Sequence, residues 1–160
     1  MEIGQEEFDN IKKEAEESYK KIDEVYCPYF QKNISFNIKG LNHIKFKSWN
    51  RTRLIKDQYL RLKFLYLAPE VIKKSHTLQE FRETKNFERQ KINSRWESRM
   101  VNVRYYAFVA ILKNIRVKII VKEVENSKKF FWSIYPYWKD KKDINRKNKK
   151  ILYNGDLETQ

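Results

Sequence analysis

Cysteine, histidine, glycine and proline are all scarce in this chain of 160 residues. The single cysteine, Cys27, excludes a disulfide within the chain, and nothing indicates an oxidising compartment, so we expect a cytoplasmic location. Two distant histidines and one cysteine give no zinc-ligand spacing, and we expect neither a metal nor another cofactor. Three glycines and three prolines leave little room for flexible linkers.

Long apolar runs are missing as well. No segment approaches the roughly 20 apolar residues of a membrane-spanning helix. The acidic first residues lack the basic start and apolar core of a secretory signal. We therefore expect a soluble protein with no membrane partner, and a length that suits one compact domain with a hydrophobic core.

What the chain has in excess is positive charge, with a formal net charge of +14 and an isoelectric point near 9.7. Residues 1–25 carry nine acids against four lysines, which nets −5 and leaves +19 for the rest. Such a bias favours a polyanionic partner such as nucleic acid or an anionic membrane face. We expect three segments: an acidic amphipathic helix over 1–26, a basic α+β domain over 27–140 and a basic tail over 141–160.

Apolar periodicity predicts the helices of the N-terminal half. Apolar residues recur every three or four positions across residues 5–25, as in an amphipathic helix that Pro28 ends. A second helix is expected over residues 52–67, with Pro69 limiting its continuation. The sequence TLQE at residues 77–80 has the form of a capping box and predicts a third, short helix through residue 81.

Alternation and β-branched residues predict the strands. A half-buried strand is expected over residues 34–38, after which Gly40 supplies a turn and His43 lies just past the strand end. Residues 84–99 are polar, rich in Arg and Lys and without a clear period, which predicts a basic loop or hairpin entry. Three β-branched and aromatic runs with short connections predict an antiparallel meander, over residues 101–112, 116–124 and 130–137, with Pro136 at a strand terminus. The fold class is therefore α+β, with N-terminal helices packed on a C-terminal antiparallel sheet.

The residues best suited to chemistry are His43 and the arginines that follow it, Arg51, Arg53 and Arg61. Histidine exchanges protons near neutral pH, whereas arginine stays charged and offers a planar fork of donors to phosphate oxygens. Cleavage of RNA by its own 2′-hydroxyl needs a base, an acid and cations that stabilise the phosphorane. The same residues are also typical of a hydrogen-bonded turn histidine and a solvated helix face, and both readings stay open here.

The order of these parts resembles the phage-associated nucleases of the barnase, EndoU, colicin and RelE superfold. The resemblance covers about residues 34–138 and leaves the acidic helix outside. It depends on a strand, Gly-x-x-His, an arginine-bearing helix, APEVI at 68–72, RYY at 104–106, a Val/Ile strand and WSIYP at 132–136. It implies helices on an antiparallel sheet and metal-free RNA cleavage, with His43 and Ser133 carried over to the site. The arginine position is shared among Arg51, Arg53 and Arg61.

The resulting prediction is a metal-independent endoribonuclease of small-toxin or phage and mobile-element type. The predicted catalytic residues are His43, Arg51, Arg61 and Ser133. The predicted substrate contacts are Arg53, Arg104, Tyr105, Tyr106 and Tyr135, where arginines bind phosphate and tyrosines stack on bases. The expected partners are RNA and a neutralising antitoxin or immunity protein.

The alternative is a noncatalytic nucleic-acid-binding protein. In it, the same basic and aromatic surface grips phosphates and stacks on bases without cutting them. The acidic N-terminal helix could then bind the basic face and autoinhibit the protein, because −5 beside +19 gives a strong, salt-sensitive attraction.

Overall fold

The structure, a computed structural model, describes residues 2–48 and 51–136. In chain order the elements are α1 Gln5–Lys20, β1 Glu24–Cys27, β2 Lys32–Ser35, α2 Ile38–Lys45, β3 Phe46–Ser48, β4 Arg51–Thr52, α3 Ile55–Phe64, a 3₁₀ turn Leu65–Leu67, α4 Ala68–Lys74, β5 Glu80–Ile92, β6 Arg95–Leu112, β7 Ile115–Val124 and β8 Phe130–Pro136. Helices therefore come mainly first and long strands last. The fold is α+β, as expected.

Six of these strands form one sheet in the order β1-β2-β8-β7-β6-β5. Strands β6, β7 and β8 follow one another along the chain and pair antiparallel, which confirms the predicted three-stranded meander, and β5 adds an antiparallel strand that was not predicted. Strand β2 joins β8 through one parallel pair, Ser35 with Phe130, and β1 pairs antiparallel with β2. Strands β3 and β4 form a separate two-stranded ribbon. Pro136 ends β8, where its missing N–H costs no ladder bond.

The helices cover one face of this sheet. Side chains from α1 to α4 pack there against alternate residues of the central strands, including Phe108, Ile119 and Phe131. The acidic helix α1 contributes Phe8 and Tyr19 to the same cluster. Burying each such side chain contributes about 1.5–3 kcal/mol. A smaller cluster on the opposite face contains Val101, Val103, Tyr105, Ala107, Ile120, Val124 and Phe130.

Two predicted boundaries in the first 45 residues are wrong. Helix α1 ends at Lys20 and not near residue 25, because the chain turns at Asp23, which has φ of 59°, and enters β1 before Pro28. The strand expected over 34–38 ends at Ser35, because the side chain of Asn37 accepts hydrogen bonds from the backbone N–H groups of the next turn and starts α2. Gly40 and His43 consequently lie inside a helix rather than in a turn.

Later boundaries also differ from the expectation. The helix expected over 52–67 runs from Ile55 to Phe64, and Pro69 lies in the first turn of α4, where a missing N–H is tolerated. No helix forms at 77–81, because Gln79 hydrogen-bonds to β6 through its backbone N–H and its side chain and leads directly into β5. Residues 84–99 lie almost wholly within the strands of the β5–β6 hairpin. The segment boundaries at 26 and 140 stay predictions, and the tail lies outside the described residues.

Candidate functional site

Helix α2 approaches strand β8 unusually closely at Gly40. A Cβ at this position would lie 2.3 Å from the backbone oxygen of Phe131 and 2.7 Å from Oη of Tyr19. Only glycine fits this contact, and it seats the helix on the side of β8. His43 lies three residues further on and therefore on a neighbouring part of the same helix face. Its ring stacks on Trp132 with ring centroids 4.0 Å apart and an interplanar angle of 17°.

Arg53 holds His43 from the other side. Its Nε donates to the His43 backbone oxygen at 2.9 Å, and its Nη2 lies 3.0 Å from His43 Nε2. A guanidinium can only donate, so Nε2 of His43 is the acceptor in this contact. The ring proton is therefore assigned to Nδ1, and the imidazole is the neutral tautomer. The two residues are 5% and 6% exposed. Burial, together with the charge of Arg61, lowers the pKa of Arg53 to about 10, so Arg53 is still a cation at neutral pH.

Asp57 joins Arg53 to Arg61. Its carboxylate accepts from Arg53 Nη1 at 3.2 Å and from Arg61 Nε at 2.8 Å. Arg53 lies just before α3, Asp57 lies in its first turn and Arg61 in its last turn, and the spacing of four residues lets the Asp57 carboxylate reach both guanidiniums. The carboxylate offsets the repulsion between two guanidiniums that are both buried.

Arg61 carries the chain of contacts on to β8. Its Nη1 donates to Ser133 Oγ at 2.6 Å and lies 3.4 Å from the backbone oxygen of Ile134. Its guanidinium carbon is 5.2 Å from the centroid of the Tyr135 ring. Five residues that are scattered over 91 positions of sequence are thus linked. We call His43, Arg53, Asp57, Arg61 and Ser133 the His43–Ser133 network.

A basic cleft opens beside this network. It has a volume of about 490 Å³ and is lined by Lys47, Arg51, Thr52, Arg53, Leu54, Asp57 and Arg61. Four cations and one carboxylate give its lining a formal charge of +3. Lys47 and Arg51 are exposed, whereas Arg53 and Arg61 are buried and already hold protein groups. The exposed pair is the part of the lining that is best placed to contact an anion such as a phosphate.

Trp132 lies between the network and the second face of the sheet. The ammonium of Lys122 is 4.1 Å from the Trp132 ring centroid. The same ammonium also forms a salt bridge to Glu88 at 2.7 Å. Tyr105 packs nearby with its ring centroid 6.5 Å away, but it is fully buried. In this arrangement Tyr105 is a core side chain and offers no face to a base.

Tyr135 is shared by two cations. Arg61 contacts its ring from the network, and Lys118 Nζ lies 5.7 Å from the ring centroid. Lys118 is fully buried and pairs with Glu80 at 2.8 Å. Burial lowers the pKa of Lys118, and the Glu80 carboxylate opposes that shift. The structure therefore places the Tyr135 ring in contact with the network, through Arg61.

Arg104 and Tyr106 lie on the other face of β6, because alternate side chains of a strand point to opposite sides. Arg104 binds Glu83 at 3.0 Å and Glu123 at 3.1 Å, and Tyr106 donates to the same Glu123 oxygen at 3.1 Å. Burial and the Glu123 charge raise the pKa of Tyr106 to about 12. The structure does not bring these two residues to the network. Their contacts are those of a cross-strand ion cluster.

The structure thus gathers His43, Arg53, Arg61, Ser133 and Tyr135, with Arg51 at the cleft. Sequence reasoning did not select Asp57, Trp132 or Lys47. The signal for Asp57 was present in its spacing, since it lies four residues from each of the two arginines. Trp132 had a weaker signal, as the neighbour of Ser133 in a strand.

Within the described residues, no group of three or more His, Cys, Asp or Glu side chains could hold a metal ion. Among the helices in residues 2–48 and 51–136, none is long and apolar enough to cross a membrane. Comparison of the chain with protein-family models, with curated proteins and with solved structures finds no match.

Proposed function

We propose that the protein is a metal-independent endoribonuclease of small-toxin or phage and mobile-element type, with a fold of the barnase, EndoU, colicin and RelE kind. The observation that carries the proposal is the convergence of His43, Arg53, Arg61 and Ser133 beside a cleft with a lining charge of +3. These residue types supply a proton acceptor and fixed cations next to each other. The α+β architecture is compatible with this assignment.

His43 is the proposed general base. A base must be unprotonated, and the donation from Arg53 to Nε2 describes a neutral ring with its lone pair on that atom. The 2′-hydroxyl of RNA would replace Arg53 at Nε2, give up its proton there and attack the phosphorus. The 5′-oxygen would then leave and take up a proton from solvent water, which yields a 2′,3′-cyclic phosphate and a free 5′-hydroxyl. Arg53, displaced by only one contact, would be close enough to pair with the charged phosphorane.

The remaining residues have supporting roles in this proposal. Lys47 and Arg51 bind the flanking phosphates, since they are the exposed cations of the cleft. Ser133 is fully buried and bonded to Arg61, so it acts as a positioning residue for that guanidinium. Asp57 holds both buried arginines at a fixed separation.

The direct test compares purified wild type, His43→Ala and His76→Ala with total RNA in EDTA, followed by end-group analysis. His76 is exposed and is not part of the network, which makes it the matched histidine control. We expect fragments ending in 2′,3′-cyclic phosphate from wild type and His76→Ala, and none from a folded His43→Ala. Intact RNA after incubation with wild type refutes the nuclease, and equal cleavage by His43→Ala removes His43 from the mechanism.

A second candidate is a noncatalytic nucleic-acid-binding protein. The observation in its favour is that His43 is 5% exposed and that its Nε2 already has a donor, as in a structural hydrogen bond. This candidate predicts RNA that stays bound and uncut. Arg51→Gln should then weaken binding, whereas His43→Ala should not, provided that both variants remain folded.

Autoinhibition by the acidic helix belongs to this second candidate. Two polar contacts join α1 to the rest of the domain: a salt bridge between Glu16 and Lys45 at 2.9 Å, and a hydrogen bond from the Tyr59 hydroxyl to the Glu7 carboxylate at 2.7 Å. Because α1 also buries Phe8 and Tyr19, charge removal is a cleaner test than deletion. A gain in RNA affinity for Glu16→Gln at low salt would support autoinhibition, and unchanged affinity would leave α1 as a packing element.

A further inference from the structure

The β5–β6 hairpin extends beyond the rest of the sheet. The β6–β7 ladder ends at Val103 and Val124, whereas the β5–β6 ladder continues to Ile92 and Arg95. We call residues 85–102 the arm. Paired residues of an antiparallel ladder point to the same side, and so do residues two apart in a strand. One side, the outer face of the arm, therefore carries Lys85, Phe87, Arg89 and Lys91 from β5 and Asn102, Met100, Ser98 and Trp96 from β6.

The acids of the arm lie on one face only, which also carries Arg95 and Arg99. The outer face carries three cations, Lys85, Arg89 and Lys91, and no acid. The two acids of the arm, Glu88 and Glu97, lie on the opposite face, where Glu88 pairs with Lys122. The side chains of the outer face itself thus include cations but no acid, and Arg89, Lys91 and Trp96 line a groove that Glu88 and Glu125 also border.

Large apolar side chains are exposed on the same face. Phe87 is 71% exposed, Trp96 60% and Met100 57%, and all three lie outside the two hydrophobic clusters. The guanidinium carbon of Arg89 is 5.4 Å from the Trp96 ring centroid. Exposed rings that contribute nothing to the core indicate a contact surface. A second copy is a poor occupant, because two faces of like charge repel each other.

We propose that the outer face of the arm binds single-stranded RNA. Phe87 and Trp96 stack on unpaired bases, and the three cations contact the phosphates, as in sequence-tolerant single-strand binding. The two rings lie roughly 13 Å apart along the arm, four residues at about 3.3 Å each, so they serve different bases. A duplex keeps its base faces stacked internally and offers these rings little. The choice of RNA over DNA rests on the proposed function.

The test measures binding of a labelled 2′-O-methyl RNA strand, which attack by a 2′-hydroxyl cannot cleave, and of the same strand in a duplex. Fluorescence anisotropy compares wild type with the double variant Phe87→Ala, Trp96→Ala. We expect the single strand to bind about ten-fold more weakly for each ring lost. Duplex affinity should stay within about two-fold of wild type. Tyr66→Ala is the matched control, because Tyr66 is 53% exposed with Lys113 at 5.1 Å from its ring, away from the arm.

Salt dependence tests the cations separately. The triple variant Lys85→Gln, Arg89→Gln, Lys91→Gln removes three phosphate contacts. The slope of log affinity against log salt for the single strand should therefore become shallower by about 2, at roughly 0.7 per phosphate. A slope equal to that of wild type would contradict phosphate contacts at the arm.

The outcomes separate the two proposals. Loss of single-strand binding in arm variants, without RNA cleavage by wild type, supports the arm and removes the nuclease. His43-dependent cleavage together with wild-type affinity in the arm variants removes the arm and keeps the nuclease. An equal loss for strand and duplex, or arm variants that change the oligomeric mass instead of affinity, would overturn the proposal in favour of general electrostatics or a protein contact.

Discussion

Replacing Gly40 by alanine should destabilise the fold, although alanine is the better helix former. The propensity change inside α2 favours alanine by about 1 kcal/mol. Against it, the new Cβ meets a backbone oxygen at 2.3 Å, and an ordinary contact of 3.4 Å requires the helix to move away by about 1.1 Å. Overpacking of this kind costs about 1–3 kcal/mol, and the upper end applies because the obstructing atom belongs to the backbone of β8. The expected net loss is about 2 kcal/mol.

Urea denaturation followed by far-UV circular dichroism measures this loss. Asn42→Ala is the matched control, because Asn42 is an exposed residue of the same helix. There the propensity term acts alone, and we expect a gain of about 0.5 kcal/mol. The two alanines should therefore change the free energy of unfolding in opposite directions. If Gly40→Ala stabilises the protein as Asn42→Ala does, α2 does not approach β8 as described.

The same substitution connects packing to the site. The ring centroids of His43 and Trp132 are 4.0 Å apart. A displacement of α2 by about 1.1 Å would move His43 away from Trp132 and disturb this stack. RNA cleavage or binding that depends on the His43–Ser133 network should therefore fall more in Gly40→Ala than the loss of folded protein explains. Activity that follows the folded fraction alone would show that the stack has no functional part.

Two further predictions concern buried charges. Burial by itself raises the pKa of Glu123, but hydrogen bonds from Lys129 and Arg104 lower it overall from the ordinary 4.5. Its stabilisation is thus complete above that value and lost as pH falls through the lower folded value. Glu123→Gln should cost about 1–3 kcal/mol at pH 7, and in urea denaturation this cost should shrink as pH falls below 4.5; a cost that does not change as pH falls would contradict the ion cluster. Arg61→Lys should lower the free energy of unfolding by about 1–3 kcal/mol, because lysine lacks the fork of donors that reaches both Asp57 and Ser133. In the Arg61→Lys background, Ser133→Ala should then cost less than it does in wild type. Additive losses in the double variant would contradict the Arg61–Ser133 hydrogen bond.

The C-terminal meander could be predicted because its sequence reflects burial. Strands β7 and β8 are covered on both faces for most of their length, and most of their residues are accordingly β-branched or aromatic. The arm could not be predicted in the same way. Strand β5 alternates between half-buried and exposed residues, and β6 is exposed from Arg95 to Met100, so the arm has no buried face that would impose an alternation of apolar and polar residues. The apparent capping box failed because Gln79 finds its partners in β6, which is distant in sequence.

The site was predictable in its residue types but not in its geometry. The chemistry of histidine and arginine and the resemblance selected His43, Arg53, Arg61 and Ser133, which the structure places in one network, and their roles stay predictions. His43 lies in a helix because Asn37 caps the start of α2 and Gly40 lets the helix pack against β8. Neither feature could be predicted from the alternation of apolar and polar residues over 34–38, which indicated a strand. Arg104 was selected because it belongs to the RYY pattern of the resemblance. Its side chain lies on the face of β6 that points away from the network.

The late position of β8 gives the molecule an order of assembly during translation. Arg61 meets Ser133 across 72 residues, and His43 must wait 89 residues for Trp132. Strands β5 to β7 can pair with their neighbours as they leave the ribosome, but α2 and α3 have no β8 to dock on until residues 130–136 emerge. If RNA is the substrate, an unfinished chain, tethered beside ribosomal RNA throughout its synthesis, lacks the means to cut it.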